Sequence, residues 1–137
     1  MASERNGALQ SAGLLLLRVG TGSLLLLGHG WSKLMHFSEW AATFPSPIGL
    51  GPVASFTLVV FAEVLCSLFV ILGLATRLAA IPVIIFLTVA FFIQHAADPF
   101  AKKELALAYL VPFVTLLFAG GGRFSLDSLA GRRKKSS

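Results

Sequence analysis

The stretch from Val53 to Leu74, preceded by Pro52, reads VASFTLVVFAEVLCSLFVILGL. A spanning helix takes about 20 mostly apolar residues to cross a hydrocarbon core of ~30 Å, so this segment is long enough. Yet Glu63 stands almost at its midpoint. A charge at the centre of a membrane helix costs roughly 2.5–3.5 kcal/mol on insertion scales, so this carboxylate requires a partner, a proton or a function. The other charge placed deep in an apolar run is Arg18. How these two groups are accommodated constrains everything else the chain can do.

The 137 residues are 56% hydrophobic and only 12% charged, with mean hydropathy +0.85. Soluble domains carry about 25% charged residues. The depletion predicts an integral membrane protein, and the length permits one all-α, four-helix bundle. Its domain spans residues 1–130, with a basic tail at 131–137 holding Arg132, Arg133, Lys134 and Lys135. In a membrane protein such a tail marks the cytoplasmic face and meets anionic lipid, so the lipid bilayer is the expected partner and nucleic acid is not. The single cysteine, Cys66, excludes an intrachain disulfide and reads as an inert side chain within the second run. Leu14 to Leu27 has the look of a signal-peptide core, but GHGWSK follows in place of a small-x-small cleavage site, so the segment is expected to be retained.

Four apolar runs appear, Ala8 to Gly28, Val53 to Leu74, Leu78 to Gln94 and Leu105 to Ala119. Pro82 and Pro112 lie inside the last two, which membrane helices tolerate when neighbours satisfy the freed carbonyls. Gly20 and Gly22 offer the first helix a small surface for close packing. With four spans both ends share one side. Placing them in the cytoplasm puts Arg5, Arg77, Arg123 and the tail inside and leaves Lys33, Lys102 and Lys103 outside, as the positive-inside rule favours. The connection from Leu34 to Pro52 holds Phe37, Trp40 and Phe44 at helical spacing before Pro45 and Pro47. It reads either as a short interfacial helix with its aromatic face in the headgroups or as a plain loop.

Arg18 stands ten residues beyond Ala8, and Glu63 ten beyond Val53, so each lies about 15 Å in from its own side. A guanidinium keeps its proton and its fork suits a carboxylate, so an Arg18–Glu63 ion pair near the midplane is the expectation. If the first helix begins nearer Leu14, Arg18 snorkels inward instead and Glu63 stands alone. His29 and Lys33 continue the face of Arg18 toward the outer surface, while His95 and Glu104 reach the same level from the third and fourth helices. Together these six residues predict a polar cavity open to the outside and floored by the ion pair. Taken singly, His29 and His95 also fit interfacial caps, and Lys33, Lys102 and Lys103 fit solvated groups. No short spacing such as HxxxH or ExxH points to a metal, and no haem-ligand pair stands out.

The segment RVGTGSLLLLGHGWSKL (Arg18 to Leu34) resembles the first-helix signature of the DoxX family. Glu63 followed by GLATRL (Gly73 to Leu78) resembles its second-helix acid and inner turn. The ending GGGRFSLD (Gly120 to Asp127) resembles its Gly-Pro-Gly-Arg-Phe-Ser-Leu-Asp close, with Gly121 where proline is usual. The resemblance spans Leu14 to Asp127. It implies a four-helix protein of the bacterial inner membrane, linked to redox systems such as quinol oxidase, thiosulfate:quinone oxidoreductase and thiol-stress complexes. It further implies that Arg18, His29, Lys33, Glu63 and Arg77 are the residues that matter, with Arg77, Arg123 and Asp127 forming the inner turns. The expected function is an oxidoreductase subunit or partner, not a stand-alone enzyme, whose outer cavity takes a quinone or a small sulfur species. The alternative is a non-catalytic scaffold recruiting other redox subunits or soluble enzymes at the cytoplasmic face. The oligomeric state is left open.

Overall fold

The computed structural model describes residues 2–136, with side chains as far as residue 131, so the tail side chains from Arg132 onward lie outside the described residues. Among these residues the chain is helical throughout its regular structure. Helix α1 spans Ala2–Met35, and α2 is a short piece at Phe37–Trp40 that tightens into a 3-10 turn over Ala41–Thr43. Helices α3 (Pro52–Leu72) and α4 (Thr76–Gln94) follow, then α5 (Phe100–Ala119) and α6 (Leu126–Ser136). The first, third and fourth are long and apolar enough to cross a membrane. Helix α5 has matching length, with Lys102, Lys103 and Glu104 in its opening turns.

Four long helices pack antiparallel around Leu25, Ala62, Cys66, Val70, Val83, Phe113 and Leu116. Both ends of the chain therefore lie at one end of the bundle, here termed the terminal end, and the 36–51 and 95–99 connections lie at the far end. Many of the other long apolar side chains face outward, among them Leu16, Leu27, Leu78, Ile85 and Phe118. An outward apolar surface over a small inward core is what a bilayer solvent selects.

The α1–α3 contact is set by small residues. A Cβ added at Gly22 would lie 3.3 Å from the Ser67 carbonyl oxygen, and one at Gly30 would lie 2.9 Å from the Glu63 carbonyl oxygen. The two backbones thus approach at two points eight residues apart, as close-packed membrane helices do. Gly20, expected to share this role, faces open space.

The far-end connection is only partly as its sequence suggested. A short helix does form, but Phe37 and Phe44 turn inward onto Phe56 of α3, with ring centroids 5.1 and 5.0 Å away. Burial against α3 competes with the headgroup placement expected for them. Trp40 faces the other way and stacks on His36 at 4.6 Å. Gly49 and Gly51 adopt positive φ, and Ser46 Oγ accepts from the Gly51 amide at 2.8 Å, which fixes the chain just before Pro52 opens α3.

Candidate functional site

The expected Arg18–Glu63 ion pair does not form. Glu63 is 1% exposed, and both of its carboxylate oxygens accept from Lys33 Nζ at 2.8 Å. Helical side chains lean toward the N-terminus of their helix, so Lys33, one turn beyond the Gly30 crossing, reaches back to the level of Glu63. Its amine therefore enters the bundle as part of the expected polar cluster, but as the partner of Glu63, a pairing the sequence reading assigned to Arg18.

Arg18 is buried to the same degree at the other end of the bundle, and its acceptors are all carbonyls. Helix α3 closes with Gly73 at φ 74°, the Gly73 amide donating to Val70 and the Leu74 amide to Phe69. That Schellman closure leaves the Ile71 carbonyl without a backbone donor. Arg18 supplies one at 2.8 Å, with a longer contact to Val70 at 3.4 Å, and its other terminal nitrogen donates to Phe124 at 2.5 Å. A cation at a helix C-terminus also suits the helix dipole. The pair fails because the Arg18 guanidinium lies at the level of Val70 and Ile71, two turns along α3 from Glu63. Arg18 is thus a buried cap on the end of α3, neither a midplane pair nor a snorkelling side chain. Around it, Asp127 donates its amide to Gly73 at 3.1 Å and Arg77 donates to Phe118 at 3.2 Å. A Cβ on Gly73 would collide with Arg18 and Ser125, which explains a glycine there twice over.

At the far end a cavity of about 690 Å³ lies between α1, α3, α4 and α5. Its polar lining includes His29, Lys33, Glu63, His95, Lys102, Lys103 and Tyr109, and segment 44–50 closes one side with Phe44, Pro47, Ile48 and Leu50. The remaining wall is apolar, with Leu25, Pro82, Phe86 and Leu87. His29 meets Tyr109 edge-on with centroids 5.5 Å apart. His95 Nδ1 bonds Asp98 at 2.8 Å, and Lys103 Nζ sits 4.8 Å above the Phe91 ring. Four of the six expected residues, His29, Lys33, Glu63 and His95, therefore share one chamber. Arg18 belongs to the terminal end, and Glu104 is exposed outside the cavity. Among the described residues no group of three or more His, Cys, Asp and Glu is placed to hold a metal.

Three of the four long helices widen into π-helical turns beside this chamber, at Leu26–Gly30, Phe61–Cys66 and Ala90–Gln94. Such turns are rare and concentrate at functional sites. Here they carry His29 and Glu63 and end just before His95. Gly28 and Gly30 weaken the helix at the first, but no residue pattern marks a π turn there or at the other two. Tyr109 and Lys102 were also outside the expected set, and a lysine pair opening a helix was the signal that could have flagged them.

Comparison with known proteins bears on the same segments. The DoxX family model matches residues 13–96, which hold Arg18, the chamber residues of α1, α3 and α4, and Arg77. An uncharacterised protein of Haemophilus influenzae is 29% identical over 104 residues, covering 72% of this chain and 69% of that relative. A second uncharacterised protein of that organism is 33% identical over 128 residues, covering 84% of the chain and 88% of the relative. No solved structure gives a significant match. The chain belongs to the DoxX family.

Proposed function

We propose that this DoxX-family membrane protein binds a small ligand in the far-end cavity, as subunit or partner of a respiratory or thiol-stress redox system. The ligand class is a quinone or a small sulfur species. The observation that carries this reading is a buried carboxylate whose counter-ion is a flexible lysine at the edge of a 690 Å³ cavity. Ligand sites of about 300–1,000 Å³ with apolar walls and a few convergent polar groups fit a ring compound with polar substituents. Lys33 spends two N–H donors on Glu63 and keeps a third for a ligand oxygen. His29 and Tyr109 present further polar edges to the same space.

The bilayer concerned is the bacterial inner membrane, with the terminal end in the cytoplasm and the cavity facing the periplasm. Arg5, Arg77 and Arg123 sit at the terminal end, and the burial of Lys33 removes one cation from the opposing count, so the positive-inside rule supports this orientation.

Purified protein in phosphatidylcholine nanodiscs tests the site. A short-chain quinone analogue or thiosulfate is expected to bind with micromolar affinity and to lose at least about tenfold with Lys33→Met, an energy of about 1.4 kcal/mol. Absence of binding by both, together with unchanged quinone and thiosulfate turnover in membranes lacking the protein, would overturn the proposal.

A further inference from the structure

Within the cavity the deep charges cancel, because Glu63 and Lys33 pair with one another. The charge balance is set at the mouth, where Lys102 and Lys103 line the space and no further carboxylate does. Asp98, the acid adjacent to them in sequence, is turned onto His95 at 2.8 Å, and Glu104 is exposed outside the lining. The lysines also occupy an unfavourable place. They sit in the first turn of α5, where the helix dipole is positive, where no acidic residue is present and where Pro99 provides no side-chain cap. Cations there are opposed by the helix dipole, and the free amides of the turn add to the same positive potential. An anion in the mouth would relieve both costs, while the apolar wall below asks for a hydrophobic body.

We propose that the occupant is an anionic amphiphile. Its apolar body lies along Leu87, Phe86 and Pro82, and its negative charge rests at the mouth beside Lys102 and Lys103. The inference rests on the cavity being a ligand site and assigns the sign of charge that the ligand carries.

A matched pair of probes tests it in phosphatidylcholine nanodiscs, which supply no anionic lipid to compete. The first is a 2-hydroxy-3-octyl-1,4-naphthoquinone, a vinylogous acid ionised at neutral pH; the second is its neutral 2-methyl ether. Binding is read by quenching of Trp31 and Trp40, the chain's two tryptophans. The ionised probe is expected to bind about tenfold or more tightly than the ether. That preference should shrink as ionic strength rises, a readout that needs no variant. In the Lys102→Gln/Lys103→Gln double variant the ratio should fall toward one, and an unchanged helical content and thermal midpoint report that the variant is folded. Equal binding of both probes to the wild type, or a preference that survives in the double variant, overturns the charge assignment and leaves the ligand site standing. Failure of both probes to bind overturns the two together.

Discussion

The two ends of the bundle each bury one charged side chain to the same 1% exposure, and they do so in opposite ways. At the terminal end Arg18 donates to carbonyls of α3 and of the loop before α6, with no carboxylate involved. Backbone acceptors at a helix end cannot leave, so this cation is locked into the fold. At the far end Glu63 depends on one amine carried by a flexible four-carbon stem, whose side chain is 21% exposed at a cavity. That partner can move. Burial of charge in a membrane protein is therefore no measure of function by itself; what separates the two ends is whether the partner can be exchanged for a ligand.

Breaking the terminal end should cost most. Arg18→Met leaves the Ile71 and Phe124 carbonyls without a donor, and a loss of about 3–5 kcal/mol is expected, seen as failure to accumulate or as steep loss of thermal stability in detergent. Arg18→Lys should recover only part of this, because one ammonium cannot span acceptors on two elements. At the far end Lys33→Met should cost less stability, about 1–3 kcal/mol, since Glu63 lies near a cavity that water can enter. Its effect on ligand binding should be the larger of the two variants, measured on the folded fraction.

Smaller changes sharpen the contrast. Gly30→Ala drives a methyl to 2.9 Å from the Glu63 backbone, so α1 must shift away from α3, at about 1–2 kcal/mol. If the crossing positions Lys33, ligand affinity falls with it. Gly28→Ala, at a site with nothing within 4 Å, is the control and should leave both unchanged. Removing residues 131–137 should have the least effect on the cavity. Ligand affinity unchanged after that truncation fits the account, whereas a pull-down of soluble partners abolished by it, with no ligand bound by the full chain, would favour the scaffold reading.

Most of the fold was legible in the sequence because lipid imposes simple rules. Apolar runs matched α3 and α4 to within two residues. Helix α1 extends past its apolar run at both ends and α5 begins before its run, because helix continues into polar flanks. Prolines with glycines placed the connections. The cluster of His29, Lys33, Glu63 and His95 was legible too, since helical spacing carries each residue to the same level. The pairing was not. Counting depth along each helix did not show that Arg18 lies level with the end of α3, where the Ile71 and Phe124 carbonyls draw it away from Glu63, and no composition rule marks that contact. Lys33 was placed in the cluster but not against Glu63, because helical position alone does not show a side chain leaning back one turn. The π-helical turns were invisible for a related reason. Two of the three lie where α1 and α3 approach at Gly30, a tertiary contact that no single window of sequence contains.

The exchangeable Lys33–Glu63 pair is the central claim, and paired double-mutant cycles test it most directly. Reversible unfolding in mixed micelles would be measured for Lys33→Met, Arg18→Met and Glu63→Leu, singly and in the two combinations with Glu63→Leu. The account predicts a coupling of about 1–3 kcal/mol between Lys33 and Glu63, and additivity within about 0.5 kcal/mol between Arg18 and Glu63. Coupling that runs to Arg18 while Lys33 is additive would contradict it.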